Sequence, residues 1–278
     1  MLIRIIAGAG CGLFALGLAF ITDTPALPVI AALLSLACEF ELQRCLGTHK
    51  LPVSASVSYI LAAGAPLAAG FASRESFSRF ALSAVAVYLL VTASAYTFSV
   101  GRGKKKGAES FEQAASSGFF TLYIALGFSA LVLICGLENG RIIFPLVFIA
   151  GWGTDVFAYF SGFFFGRHKL IPEISPKKTV EGAIGGTLIC TLMFVAYGAI
   201  AGVFGKDVHL IPLVFLGALS SAVAQAGDLI MSAVKREFGL KDFGKTIPGH
   251  GGFLDRFDSV LAVSSVFYLF LTAVSMFG

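Results

Sequence analysis

The feature that most constrains this chain is a succession of apolar stretches, each about 20 residues long, the length that crosses a bilayer as one helix. With 57% hydrophobic and 13% charged residues, its 278 residues hold too few polar groups to cover a water-soluble globule. We therefore predict an all-α polytopic membrane protein with about nine transmembrane helices. The predicted spans are residues 3–22, 26–46, 52–72, 79–100, 117–137, 141–165, 182–204, 209–232 and 257–277.

The sequence has no convincing internal repeat, low-complexity tract or appended soluble region. This predicts a single integral membrane domain over 1–278, with the chemistry-bearing motifs concentrated in 151–259. The first stretch follows Arg4, as the core of a signal peptide would. Its apolar run is longer than a signal core, however, and no small-x-small cleavage site follows it, which favours a retained helix.

The distribution of basic residues predicts the topology. All but four of the 20 Lys and Arg residues lie at the N-terminus or in the second, fourth, sixth and eighth loops. Positive residues mark the cytoplasmic side, so we expect a cytoplasmic N-terminus and an external C-terminus. The net charge of +4 lies in membrane loops and not in a soluble basic domain, so no nucleic-acid partner is expected. The four exceptions are Arg74, Arg79, Arg141 and Lys206.

The cysteines indicate neither zinc nor disulfides. Five are scattered through the chain, mostly inside apolar runs, and no CxxC or Cys/His spacing occurs among them. We interpret them as reduced packing residues.

Several carboxylates lie inside apolar stretches, where a charge costs about 2.5–3.5 kcal/mol on insertion scales. Asp155 and Asp228 have no cation at helical spacing within their own stretches, and we assign both to function. Glu39 and Glu41 lie in the second stretch. Glu41 and Arg44 are three residues apart, and we favour an ion pair on the helix surface near the interface over a catalytic role.

The eighth loop is unusually rich in charge and glycine. Asp255 and Asp258 share one helix face, and capping of that helix is the structural alternative to a functional role. Together with Asp228 they indicate oxygen ligands for Mg²⁺. The glycines of the run 248–252 permit positive φ angles and close backbone approach to an anion. Basic residues that could hold phosphates accompany them: Lys235, Arg236, Lys241 and Lys245 here, and Lys177 and Lys178 in the sixth loop, where Thr179 is the expected N-cap of the next helix.

The pattern of basic residues, glycines and aspartates from Ser232 to Asp258 resembles a known family, the phosphatidate cytidylyltransferases, also called CDP-diacylglycerol synthases. Two further stretches, SPKKTVEG from Ser175 and the stretch from Asp155 to Tyr159, are similar to other motifs of that family. Thr154 and Met231 depart from it, because the family often has Asn and Glu there. The motifs run from about residue 151 to the C-terminus. The main signature consists of Ser232, Lys235, Arg236, Lys241, Asp242, Pro248, His250, Gly251, Gly252, Asp255, Arg256 and Asp258.

The resemblance implies transfer of a cytidylyl group from CTP to phosphatidic acid, with release of pyrophosphate, for phospholipid biosynthesis. It also implies Mg²⁺ at Asp228 and Asp255, accompanied by a monovalent cation such as K⁺. The phosphate nucleophile is already anionic, so His250 is expected to orient the loop or contact a phosphate and not to act as a base. The expected catalytic residues are Asp228, Asp255, Asp258, Lys235, Arg236 and His250. The expected substrate-binding residues are Asp155, Ser175, Lys177, Lys178, Thr179, Lys241, Asp242, Gly251, Gly252 and Arg256.

Two other functions use similar features. A proton-coupled carrier also needs acids at mid-membrane, although it has little use for the eighth loop. A CTP-dependent lipid-alcohol kinase would release CDP in place of pyrophosphate. The predicted setting is a bacterial inner membrane, crossed several times, with the active site facing the cytoplasm, and small residues in the spans favour a homodimer.

Overall fold

The computed structural model describes residues 13–15, 17–101, 110–206, 208–247, 249 and 251–274. Within these residues, eight helical segments are long and apolar enough to cross a membrane. The helices are α1 (Ala26–Leu46), α2 (Pro52–Phe71), α3 (Arg74–Gly101), α4 (Phe111–Cys135), α5 (Gly140–Phe148), α6 (Thr154–Phe165), α7 (Val180–Val203), α8 (Leu210–Glu237) and α9 (Leu254–Ala273).

The apolar stretches predicted these helices well, which confirms an all-α polytopic membrane protein. The second to ninth predicted spans each correspond to one observed membrane segment. The first, 3–22, lies mostly outside the described residues, so the total of nine stays a prediction. The predicted end of α8 at residue 232 is wrong, because the helix continues to Glu237 and carries Lys235 and Arg236 in its last turn.

One membrane segment is interrupted by a π-helical turn, Ile149–Gly153, between α5 and α6. Gly151 on this turn lies against α9, and a methyl group there would approach Val260 Cγ2 to 2.8 Å. The neighbouring Trp152 donates a 2.7 Å hydrogen bond from Nε1 to the carbonyl oxygen of Arg256. The turn therefore holds the beginning of α9.

α4, α9 and α8 form the centre of the helix packing. α4 packs against α1 and α2 on one side and against α9 on the other. α9 packs on α8, α8 on α7 and α7 on α6. α3 lies against α2 and α4, and its exposed Leu82, Leu90 and Phe98 form the kind of apolar surface that faces lipid.

The sixth loop forms an antiparallel hairpin that the sequence did not predict. Its strands are β1 (Lys169–Ile171) and β2 (Ser175–Thr179). Thr179 ends β2 and caps α7, accepting a 3.1 Å hydrogen bond from the backbone N–H of Gly182, as predicted. Glu181 accepts hydrogen bonds from the backbone N–H groups of Arg167 and His168. The hairpin is thus fixed to the first turn of α7.

The four cysteines within the described residues are free thiols, which confirms the interpretation for them. Cys11 lies outside the described residues. The four are Cys38, Cys45, Cys135 and Cys190.

Candidate active site

The site begins with an ion pair between the hairpin and α8. Lys178 on β2 contacts the Oδ2 atom of Asp228, and both side chains are about one-fifth exposed, at 23% and 22%. The cation that contacts Asp228 therefore comes from the sixth loop, which precedes α7. Lys177, the adjacent residue, is exposed.

A second pair joins the end of α8 to the start of α9. Lys235 Nζ lies 2.7 Å from Asp255 Oδ1, and both side chains are buried. Asp255 Oδ2 accepts hydrogen bonds from the backbone N–H groups of Phe243 (2.8 Å) and Gly252 (2.9 Å). Both oxygens of Asp255 are thus bonded within the protein, and Lys235 also lies over the Phe243 ring, 5.2 Å from its centroid.

Asp258 is buried one turn further along α9. Its Oδ1 accepts a 2.8 Å hydrogen bond from the N–H of Ser259, and its carbonyl oxygen accepts one of 2.5 Å from the hydroxyl of Tyr123. Gly227 lets α8 approach here, because a methyl group at that position would lie 3.1 Å from the carbonyl oxygen of Asp258. Asp228, the next residue on α8, is consequently brought towards α9.

Negative charge accumulates where these elements meet. Asp155 and Asp258 each interact electrostatically with Asp228 and also with each other. Lys178 and Lys235 offset part of this charge. Neighbouring carboxylates repel one another, so an additional cation would stabilise the cluster.

The donor chemistry fits a hard cation, which prefers carboxylate oxygens. In the described part of the chain, however, no group of three His, Cys, Asp or Glu residues is already arranged to hold a metal ion. Of the two predicted ligands, Asp255 is the more engaged within the protein, because both of its carboxylate oxygens already have partners there.

Other predicted site residues surround the cluster. Arg236 donates to the carbonyl oxygens of Ile174 (3.3 Å) and Leu240 (3.2 Å) and so ties α8 to the turn of the hairpin. A separate cavity of about 560 Å³ lies between α1 and the eighth loop. Its polar lining residues are Arg44, Lys241, Asp242, Lys245 and Thr246, together with Glu41.

Two glycines of the run 248–252 have the positive φ angles predicted for it. Gly249 and Gly251 have φ angles of 77° and 82°, which residues other than glycine rarely adopt. Gly251 also lies against Asp255, where a methyl group would be 2.7 Å from Oδ2. Pro248 and His250 lie outside the described residues, so the role expected of His250 stays a prediction.

The predicted pair of Glu41 with Arg44 is wrong. The Glu41 side chain is buried and accepts hydrogen bonds from the Thr246 hydroxyl and from the N–H groups of Phe253 and Leu254. The Arg44 guanidinium lies instead over the Phe40 ring, 5.6 Å from its centroid. The carboxylate finds two donors in the eighth loop and one at the start of α9, whereas sequence spacing considers only donors on its own helix.

The two departures from the family pattern are buried in the structure. Thr154 donates a 3.1 Å hydrogen bond to the hydroxyl oxygen of Ser221, which links the start of α6 to α8. Met231 is fully buried in the apolar core.

The chain is similar to known cytidylyltransferases over most of its length. Residues 2–274 match the profile of the cytidylyltransferase family. The phosphatidate cytidylyltransferase of Bacillus subtilis is 35% identical over 206 residues, which cover 74% of this chain and 72% of that protein. The phosphatidate cytidylyltransferases of Aquifex aeolicus and Staphylococcus haemolyticus are each 40% identical over segments covering 59% of their own length and 56% and 57% of this chain. The chain therefore belongs to the cytidylyltransferase family.

Proposed function

We propose that the chain is a phosphatidate cytidylyltransferase whose active site is the carboxylate cluster at the junction of α6, α8 and α9. Family membership makes the protein an enzyme, a nucleotidyltransferase of a membrane, and supports the synthesis of CDP-diacylglycerol. The observation that carries the assignment of the site is the Lys178 to Asp228 ion pair, which joins two family motifs beside Asp155 and Asp258.

In the proposed reaction, a phosphate oxygen of phosphatidic acid attacks the α-phosphorus of CTP. The new P–O bond forms as the bond to the bridging oxygen breaks, and pyrophosphate carries away the electron pair. Such transfers depend on positioning and charge neutralisation more than on covalent assistance from the protein. Lys177 on the hairpin and Lys241 and Lys245 beside the cavity are exposed and suited to contact phosphates.

We propose Asp228 and Asp255 as carboxylates for Mg²⁺, with a monovalent cation such as K⁺ nearby and with Asp155 and Asp258 adding negative charge. When bound, Mg²⁺ would neutralise charge developing on the phosphate oxygens. The lysines that now contact the two aspartates would then be available to nearby phosphate oxygens. His250 is proposed to contact a phosphate or orient the loop.

We further propose a bacterial inner membrane as the location, with the active site on the cytoplasmic side. The excess of Lys and Arg in the even-numbered loops supports this orientation. CTP reaches such a site from the cytoplasm, and the lipid headgroup reaches it from the bilayer surface. A homodimer and the absence of a nucleic-acid partner are part of the same proposal.

The test is pyrophosphate release by the purified protein in detergent with CTP, phosphatidic acid and Mg²⁺, omitting each component in turn. We expect release, together with CDP-diacylglycerol, only when all three are present. Asp228→Asn should abolish both products while the protein remains in the membrane at its normal level. Release of CDP would instead indicate a lipid kinase, and full activity of Asp228→Asn would overturn the proposed site.

A further inference from the structure

We propose that Glu41 on α1 is a positioning residue for the transfer reaction, holding the eighth loop and the first turn of α9 in their active arrangement. The inference rests on the proposed function, because it concerns the loop that carries Asp255. It extends the site to α1, far in sequence from the family motifs.

The contacts of Glu41 join three parts of the molecule. Its Oε1 accepts hydrogen bonds from the Thr246 hydroxyl (2.8 Å) and from the N–H of Phe253 (3.1 Å). Its Oε2 accepts a 2.9 Å hydrogen bond from the N–H of Leu254. Glu41 is 5% exposed, and the bond from Leu254 is buried while those from Thr246 and Phe253 are partly buried. Hydrogen bonds to a charged group are stronger than those between neutral groups.

Glu41 completes the N-terminus of a helix to which it does not belong. α9 begins at Leu254, and the preceding Phe253 offers no side-chain cap. The first N–H groups of a helix need acceptors, and its positive end favours a negative charge. Glu41 supplies both from α1.

The loop is shaped around this carboxylate. Methyl groups at Gly244 or Gly252 would collide with the carboxylate of Glu41, which therefore lies between the two glycine backbones. The carboxylate of Glu41 on α1 therefore explains why the motif has a glycine, and not a larger residue, at position 252. A side chain at either position would displace the carboxylate or the loop.

The same loop fixes Asp255. Gly252 donates its N–H to Asp255 Oδ2, and Asp255 pairs with Lys235. A shift of the loop would therefore move Asp255 and the start of α9 together. Glu41 contacts the loop and the helix rather than the proposed reacting groups, so its loss should lower kcat more than it changes KM.

The experiment compares Glu41→Gln with Glu39→Gln, a matched control two residues away. In Glu41→Gln the new amide would face either the N–H of Leu254 or the donors to Oε1, and at least one donor would lose its acceptor. In Glu39→Gln the remaining oxygen can still accept from Gln43 and Thr121, the two present partners of Oε1. We expect kcat of Glu41→Gln to fall about tenfold to hundredfold, the usual loss when a supporting residue is removed. KM for CTP should rise by a smaller factor than kcat falls, because Lys241 and Lys245 lie on the same loop, and Glu39→Gln should keep its kcat.

A second measurement is independent of catalysis. Trypsin cleavage after Lys241 and Lys245 reports opening of the loop, which requires local unfolding. Cleavage should be faster in Glu41→Gln than in the wild type or Glu39→Gln, and Glu41→Asp, which keeps the charge, should restore part of both kcat and protection. Unchanged kcat and unchanged cleavage in Glu41→Gln would overturn the proposal. So would equal losses in the two Gln variants.

The cleavage assay separates this inference from the proposed function. If the wild type releases no pyrophosphate but only Glu41→Gln loses protection, the structural role of Glu41 stands and the proposed reaction fails. If Glu41→Gln does not fold, Thr246→Val removes one donor to the same carboxylate. It should show smaller changes in the same direction, and wild-type cleavage and kcat in that variant would count against the proposal.

Discussion

Each of two aspartates at the site is paired with one lysine from another element. Lys178 reaches Asp228 from the hairpin, and Lys235 reaches Asp255 from the end of α8. The two pairs differ in exposure, since the first is partly open and the second is buried. We therefore expect substitutions in the Lys178–Asp228 pair to lower activity and substitutions in the Lys235–Asp255 pair to lower stability.

The first prediction compares adjacent lysines on β2. Lys178→Met removes the partner of Asp228, so kcat should fall about tenfold or more. Lys177→Met removes only an exposed charge and should raise KM for CTP by roughly twofold to fivefold, the size of a contact worth up to about 1 kcal/mol. Initial rates of pyrophosphate release at varied CTP measure both parameters. Equal effects of the two substitutions would contradict the assignment of Lys178.

The second prediction concerns the buried pair. Lys235→Met leaves the charge of Asp255 without its cation, and breaking a buried pair in this way costs about 3–5 kcal/mol. The midpoint of thermal unfolding in detergent should drop clearly. The double variant Lys235→Met with Asp255→Asn should regain part of that loss without regaining activity. If Lys235→Met alone unfolded at the same midpoint as the wild type, the pair would not support the fold.

The sequence identified candidate site residues, but it did not predict which residues they contact. Asp155 and Asp228 could be selected because a charged residue in an apolar stretch is energetically costly and therefore indicates a function. That Lys178 would pair with Asp228 could not be predicted, because the hairpin that carries it was not anticipated. Glu41 was assigned to Arg44 because helical spacing considers only neighbours on one helix.

At the scale of elements, the beginning of α9 is fixed from several directions. Trp152 on the π-helical turn bonds to the carbonyl oxygen of Arg256, Tyr123 on α4 bonds to that of Asp258, and Glu41 bonds to the first N–H groups. The helix that carries two of the proposed catalytic acids therefore has little freedom to shift.

The third prediction tests the close approach of the π-helical turn. Gly151→Ala would place a methyl group 2.8 Å from Val260 Cγ2, and such overpacking costs about 1–3 kcal/mol. Gly153→Ala on the same turn meets no atom closer than 3.6 Å and should change stability by about 0.5 kcal/mol or less. Unfolding midpoints and initial rates of the two variants make the comparison. A larger loss of stability in Gly153→Ala than in Gly151→Ala would contradict the close contact of Gly151 with Val260.

Apolar length predicted the membrane segments formed by α1 to α9, because crossing a bilayer requires about 20 apolar residues, whatever the packing. The hairpin and the π-helical turn escaped prediction, because both depend on tertiary contacts. β2 is stabilised beside α7, and the turn is shaped by Gly151 and Trp152 against α9.

At the scale of the whole molecule, the fourth prediction concerns orientation. In intact cells, a membrane-impermeant thiol reagent should label Glu138→Cys, between α4 and α5, because that loop is predicted to face outward. Glu173→Cys, in the hairpin turn, should react only after the membrane is opened. Both residues are exposed, and both variants would be made in a chain without its five native cysteines. The reverse labelling pattern would invert the predicted topology.

The bond between Glu41 and Thr246 spans 205 residues of sequence and has a consequence for biosynthesis. At about 5–20 residues per second, a ribosome needs roughly 10–40 s to cover that distance. During this interval α1 is already made, and its buried acid has none of its final donors. The nascent chain must therefore tolerate an unsatisfied carboxylate, through a proton, water or the insertion machinery, until the last span arrives. A fragment that begins after α1 would carry the family motifs without the acid around which their loop is folded.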